Sequence, residues 1–341
     1  MTDQLRPEEF RRTFNAMRDS LGRVIIGQAG VVEQFLIAFF AGGHVLLEGV
    51  PGLGKTLLAK SFARVLGVQF KRIQCTPDLM PADILGTQLV VDRDGRKVFE
   101  FAQGPVFTNI LLADEVNRAS PKTQSALLEA MEEHQVSVAG STFPLEEPFF
   151  VIATQNPIEM EGTYPLPEAQ LDRFFFRVFV NYPSSEDLTR IIQQTTAADL
   201  PEAESVLAGE QARAWILRAR RLAREVLVAR PIEEYIVRLV TATRPAGPGA
   251  DGIAAKFVRY GASPRGAQAI LMGAKVRALI DGRVNASFED VDRLVLPALN
   301  HRLVLSFEAE AERRTTADVL EEIVAPLRRH PQVAGSASCA A

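Results

Sequence analysis

The sequence predicts an α/β fold, a parallel sheet covered by helices, followed by a helical second domain. Three observations carry this. Short apolar runs alternate with helical patterns from His44 to about Val180. A glycine-rich loop, "GVPGLGKT" (49–56), stands between the first such run and the helix after it. Beyond Tyr182-Pro183 every apolar spacing is helical.

In chain order, an N-terminal helical segment (1–22) precedes the α/β domain (23–181). "HVLLEGV" (44–50) reads as a buried strand and "KTLLAKSFARVLG" (55–67) as the following helix, ended by Gly67. "VQFKRIQC" (68–75) is a second strand, and "NILLADE" (109–115) a third, apolar until its carboxylates. "SPKTQSALLEAMEEH" (120–134) is a helix with Ser120 as N-cap and Pro121 at its first position. "FFVIATQN" (149–156) and "FFFRVFV" (174–180) complete five strands.

Two hairpins interrupt the alternation. One is "QLVVDRDGRKVFEF" (88–101), with Asp94-Gly95 as a tight turn, and the other is "QVSVAGSTFPLE" (135–146) around Gly140. They read either as surface cover for the sheet or as loops that touch a partner.

The helical part (182–330) contains "EDLTRIIQQT", "QARAWILRARRLAREVLV", "IEEYIVRLVTATR", "PRGAQAILMGAKVRALIDG" and "FEDVDRLVLPALNHRLVL". In the second of these, Trp215, Leu222 and Val226 share an apolar face. The loop "RPAGPGADG" (244–252) divides the set, and a small-residue, flexible tail (331–341) follows.

The totals exclude several classes. A length of 341 residues suffices for two domains. The net charge of −4 offers no global basic field for nucleic acid. Cys75 and Cys339 are the sole cysteines and make no CxxC or Cys/His cluster, so neither a disulfide framework nor a zinc site is expected. The charged start "MTDQLRPEEFRR" lacks a signal-peptide core, and Phe35 to Val50 is too short and interrupted to cross a bilayer. A soluble cytoplasmic protein is expected.

"GVPGLGKT" fits G-x-x-x-x-G-K-[ST] in the required setting of strand, loop and helix. Gly49, Gly52 and Gly54 let backbone N–H groups turn around phosphate oxygens, with Leu53 and Leu57 alongside, and the helix N-terminus adds positive potential. Lys55 is a cation at that positive end, a conflict that a polyphosphate removes. Thr56 is placed to offer its hydroxyl to Mg²⁺. Asp114 and Glu115 end a buried strand at the carboxyl edge of the sheet, where such folds bind ligands. Asp114 would serve the metal and Glu115 would orient or deprotonate an attacking water. Asn156 ends the fourth strand, either to reach the same water or as a turn former before Pro157. Arg265 follows Ser263-Pro264, so it too is a cation at a helix start, or else a surface arginine.

Together "GVPGLGKT", "ILLADEVNRASPKTQSALLEAMEE", "VIATQNPIEMEGTYPLPEAQLDRF" and "GASPRGA" resemble the MoxR family of AAA+ ATPases over roughly residues 20 to 300. The resemblance implies a five-stranded αβα P-loop domain with a C-terminal helical lid, assembly into a hexameric ring, and Mg-ATP hydrolysis. It makes 88–101 the helix-2 insert and 135–146 the hairpin before sensor 1. By position, Lys55 and Thr56 would be the Walker A residues and Asp114 and Glu115 the Walker B pair. Asn156 would be sensor 1, Arg173 the arginine finger and Arg265 the sensor 2 arginine. "RVIIGQ" (23–28) is similar to the segment lining the adenine, which puts Ile26, Gly27 and Gln28 near the base.

Arg173 then meets a neighbouring subunit's γ-phosphate; the competing reading is a surface pair with Asp172. The resemblance implies chaperone-like remodelling of a client protein, activation or metal-cofactor insertion, with a von Willebrand factor A-domain partner. A DNA-translocating motor of the same clade and a nucleotide-gated scaffold are the rivals. Nucleic acid is disfavoured because 135–146 carries no Lys or Arg.

Overall fold

The computed structural model describes residues 5–94, 96–156, 162–197, 199–246 and 252–328. The Gly95 turn position, part of the 244–252 loop, the Pro157 neighbourhood, and the tail with Cys339 lie outside these. Five strands form one parallel sheet: β1 (Val45–Glu48), β2 (Phe70–Gln74), β5 (Ile110–Asp114), β8 (Phe150–Gln155) and β9 (Phe176–Phe179). Their spatial order is β2-β5-β8-β1-β9.

The side-chain period of two splits the strands between two cores. Val45, Leu47, Ile110, Leu112, Phe150, Ile152, Phe176 and Val178 face one, and Leu46, Ile73, Leu111, Ala113, Val151 and Ala153 the other. Burial on both faces explains why β1, β5 and β8 read as apolar runs, whereas the edge strand β2 keeps Lys71, Arg72 and Gln74 exposed.

The larger core takes α1 (Pro7–Val24), α2 (Ala29–Ala41) and α3 (Lys55–Leu66). The helix α2 went unassigned in the sequence because "AGVVEQFLIAFFA" is apolar around most of its circumference and shows no stripe. The smaller core lies under α4 (Pro81–Leu85), α5 (Pro121–Glu133) and the hairpin β6–β7 (Gln135–Val138, Ser141–Pro144), and the largely exposed hairpin β3–β4 (Gly86–Arg93, Arg96–Gln103) stands outside it. Both hairpins form as read. Asp94 adopts a φ of 55° in the turn between Arg93 and Arg96. Phe101 stacks on Phe143 at 4.0 Å, so one hairpin leans on the other.

After the short α6 (Glu168–Leu171) come α7 (Ser185–Thr195), α8 (Glu210–Glu225) and α9 (Arg230–Ala242). Then follow α10 (Gly252–Phe257), β10 (Val258–Tyr260) and α11 (Pro264–Ile280). The helices do not stand apart from the sheet domain. Trp215 of α8 stacks on Phe10 and meets Phe40 edge-on, and α11 packs on α1 and α2. The stretch "FEDVDRLVLPALNHRLVL", expected as one helix, is instead α12 (Phe288–Asp292), α13 (Val295–Leu299) and β11 (Val304–Leu305), which pairs antiparallel with β10. Pro297, inside α13, has no N–H to give the Arg293 carbonyl, and the break falls at Arg293-Leu294 between α12 and α13. The described residues end with α14 (Phe307–Ala311) and α15 (Thr316–Arg328). Among the described residues no helix is long and apolar enough to cross a membrane.

Candidate functional site

The parallel sheet gives the molecule two unlike edges. Every strand exits at one, and there the loop 49–56, Asp114, Glu115 and Asn156 gather. Gly52 and Gly54 have φ of 84° and 76°, and a Cβ on either would meet nothing within 4 Å. The backbone therefore turns through left-handed conformations around open space, as a phosphate cradle requires. Gly54 is the N-cap of α3 and offers no side chain to its first-turn amides, which suits that end to an anion. Lys55 opens the helix and its Nζ donates to the Gly49 carbonyl at 2.7 Å.

A cleft of about 420 Å³ extends from this loop to α7. Seven residues expected there line it: Ile26, Gln28, Gly52, Leu53, Gly54, Lys55 and Leu57. Its remaining wall includes Leu188 and Ile191 of α7, a helix with an apolar face and no buried residue. An apolar slot beside a phosphate cradle suits a purine base. Gly27 and Gly49 are held against neighbouring chain segments. A Cβ on Gly27 would strike Asp187 at 2.8 Å, and one on Gly49 the Val180 carbonyl at 2.8 Å, so both are close-packing glycines beside the cleft. Thr56 is exposed on the first turn of α3.

The acidic end is held by residues that motif reading passes over. Asp114 is buried; the Thr154 hydroxyl donates to its Oδ1 at 2.6 Å and Arg72 pairs with its Oδ2 at 2.8 Å. Glu115 stands at a φ of 57°, a left-handed conformation unfavourable for a side chain of its size. Its amide donates to Thr154 Oγ1 at 2.8 Å. Its carboxylate accepts from Gln74 at 2.7 Å and pairs with Arg118 at 3.2 Å. Thr154 thus locks both acids in place, and Gln74 aims the second. The signals were present: Thr154 is the polar residue of a buried strand, and Arg72 and Gln74 share one face of β2. Asn156, buried at the exit of β8 between β1 and β5, joins the same edge.

Arg173 and Arg265 are elsewhere. Phe175 donates its N–H to the His44 carbonyl, so Arg173 sits where β1 and β9 enter the sheet, a strand's length from Lys55. Its guanidinium meets Glu132 at 3.0 Å and not its sequence neighbour Asp172. Arg265 also binds Glu132. Asp172 instead accepts from Ser263, the N-cap of α11, at 2.8 Å and from Arg302 Nε at 2.8 Å. Arg302 is buried and further donates to the carbonyls of Phe174 at 2.7 Å and Phe175 at 3.2 Å. Burial pulls its pKa down to about 10, against the opposing pull of Asp172. Gly266 lets α11 approach, since a Cβ there would meet Leu299 Cδ2 at 2.7 Å.

Comparison with known proteins agrees with both halves. Residues 44–176 match the ATPase family associated with various cellular activities (AAA), and residues 250–323 match the AAA lid domain. Chaperone MoxR1 of Mycobacterium tuberculosis is 46% identical over 303 residues, 89% of this chain and 78% of that protein. The uncharacterized protein YeaC of Bacillus subtilis is 42% identical over 311 residues, 91% of this chain and 92% of that one. A crystal structure of a candidate ATPase from Cytophaga hutchinsonii superposes with a TM-score of 0.85 at 39% identity, over 94% of this chain and 95% of that one. The chain belongs to the MoxR family of AAA+ ATPases, enzymes that hydrolyse ATP.

Proposed function

We propose that the protein turns over Mg-ATP only in a ring, most simply a hexamer, in which each nucleotide is held by one subunit and completed by the next. Thr56 and Asp114 would hold Mg²⁺, which neutralises phosphate charge when bound. The buried Asp114 carboxylate, already balanced by the cation of Arg72, fits a positive charge at that position. Lys55 and the first-turn amides of α3 bind the phosphates. Glu115, aimed by Gln74, orients the attacking water and takes its proton, and Asn156 fixes that water's other side. Arg173 and Arg265 stabilise the charge that develops on a γ-phosphate belonging to the adjacent subunit.

One observation carries this reading: both arginines stand at the strand-entry edge while Lys55 stands at the exit edge. Neither can serve its own chain's phosphate without crossing the sheet, so their substrate is a neighbour's. The work done with the ATP is chaperone-like remodelling or activation of a client protein, including metal-cofactor insertion, with a von Willebrand factor A-domain partner in the cytoplasm. A relative named as a chaperone supports that assignment. The hairpins β3–β4 and β6–β7, joined by the Phe101–Phe143 stack, are the surfaces that would touch the client.

The test mixes Arg173→Ala with Lys55→Ala subunits. Each alone should be inactive, the arginine loss amounting to about 10³ to 10⁵ in kcat. Mixed rings should recover turnover at interfaces where an intact Lys55 meets an intact Arg173. Absence of recovery at every mixing ratio would sink the shared site.

A further inference from the structure

We propose that Glu132 is a positioning residue for ATP turnover: its carboxylate holds Arg173 and Arg265 side by side as one grip for the adjoining subunit's γ-phosphate. This rests on the shared-site reading above and adds the residue that makes two separate arginines act as a pair.

The two arginines come from different parts of the chain, one before β9 and one on the first turn of α11. Two guanidiniums brought together repel unless an anion lies between them. Glu132 supplies it, with Oε2 to Arg173 at 3.0 Å and Oε1 to Arg265. Each arginine takes a different oxygen, so their spacing is set by one carboxylate. With His44 and Met131 these three side chains line a small cavity of about 80 Å³, and both cations border it.

Two further features point the same way. Glu132 lies in the last turn of α5, a turn without a basic residue, and an acid is disfavoured at that negative end of a helix. Its position is therefore explained by what it binds and not by the helix that carries it. The backbones are tied as the side chains are. Asp172, adjacent to Arg173, accepts from the hydroxyl of Ser263, two residues before Arg265, which lies 2.8 Å from Oδ1 and 2.9 Å from Oδ2. Asp172 fixes where the two chain segments meet, and Glu132 fixes where their charges point. Asp172 also lies 3.8 Å from Arg265 and is itself paired with Arg302, so the cluster sets three guanidiniums against two carboxylates and keeps a net attraction for phosphate.

The experiment measures Glu132→Gln, which keeps size and removes the charge. Its kcat should fall by about tenfold or more while KM for ATP stays within about twofold, because the P-loop is untouched. Mixing it with Lys55→Ala should restore turnover, since each supplies the face the other lacks. Mixing it with Arg173→Ala should restore nothing, because both defects lie on the same face. An unfolded subunit could not rescue its partner, so recovery also reports a native variant. Unchanged or raised kcat, a shift in KM alone, or rescue by Arg173→Ala overturns the proposal. If Arg173→Ala and Lys55→Ala rescue each other but Glu132→Gln and Lys55→Ala do not, Glu132 loses this part and the shared site survives. If the first pair also fails, the shared site falls and the present inference with it.

Discussion

Each edge of the sheet is organised around an aspartate–arginine pair, and the two pairs differ in burial. At the exit edge Arg72 meets Asp114 with 46% of the arginine side chain exposed. At the entry edge Arg302 meets Asp172 with 3% exposed. An exposed arginine on a buried carboxylate leaves that carboxylate accessible to another cation, at little cost in stability. A buried arginine that also donates to four backbone carbonyls, those of Asp172, Phe174, Phe175 and Ala298, cannot leave without stranding its partners. The first pair leaves its arginine open to solvent, and the second is locked into the fold.

The largest test of that contrast is Arg302→Met. It should destabilise the fold by about 3–5 kcal/mol, read from the urea midpoint, because Asp172 and the carbonyls of Phe174 and Phe175 lose a buried partner. Arg72→Met should cost no more than about 1 kcal/mol. Equal losses for the two would erase the distinction.

Next in size is a pH effect at the entry edge. Burial presses the pKa of His44 down to about 4, with a weaker upward pull from its hydrogen bond to the Met131 carbonyl. The unfolded chain binds that proton near pH 6.5, before the folded one does. Stability is therefore unaffected above pH 6.5 and falls as pH drops from 6.5 towards 4. The loss should reach about 2 kcal/mol by pH 5. Denaturant midpoints at pH 7 and pH 5 check this, and His44→Gln should flatten the difference. Glu147, close by, acts in a lower window. Burial raises its pKa, but the His134 hydrogen bond and the Arg220 charge outweigh it and leave the value at about 2. Its contribution is present above pH 4.5 and disappears only as pH falls towards 2.

A test of similar size on stability belongs to the exit edge. Thr154→Val keeps the volume and removes the hydroxyl that joins Asp114 to the Glu115 amide. Unfolding should shift by about 1–3 kcal/mol, the cost of leaving a buried amide unpaired. Turnover should fall by about tenfold or more with ATP affinity retained, because Glu115 is then free to leave its left-handed conformation. A loss of ATP affinity with kcat intact would mean that Thr154 serves phosphate binding and not the acid pair.

Legibility followed the same division. The exit edge could be read because its chemistry is contiguous: glycines, lysine and threonine on one loop, two acids at one strand end. What escaped there were the supports, Thr154, Arg72 and Gln74, whose partners lie on neighbouring strands. The entry edge was legible only as isolated cations. Arg173 beside Asp172 suggested a local pair, yet Asp172 binds Ser263 and Arg302 while Arg173 turns to Glu132. The apolar α2 is silent because burial all round removes the stripe that marks a helix, and the break at Arg293-Leu294 rests on one residue, Pro297, that periodicity overruns.

By itself, then, the sequence determined the local chemistry: the alternation that makes a parallel sheet, the phosphate loop, and the carboxylates at a strand's end. These follow from residue type and short-range spacing, which the chain carries before it folds. Only the tertiary structure decided that Arg173, Arg265 and Glu132 meet at one edge, and that this edge faces away from the chain's own nucleotide loop. That choice comes from strand order and helix packing, whose causes are spread over the whole core.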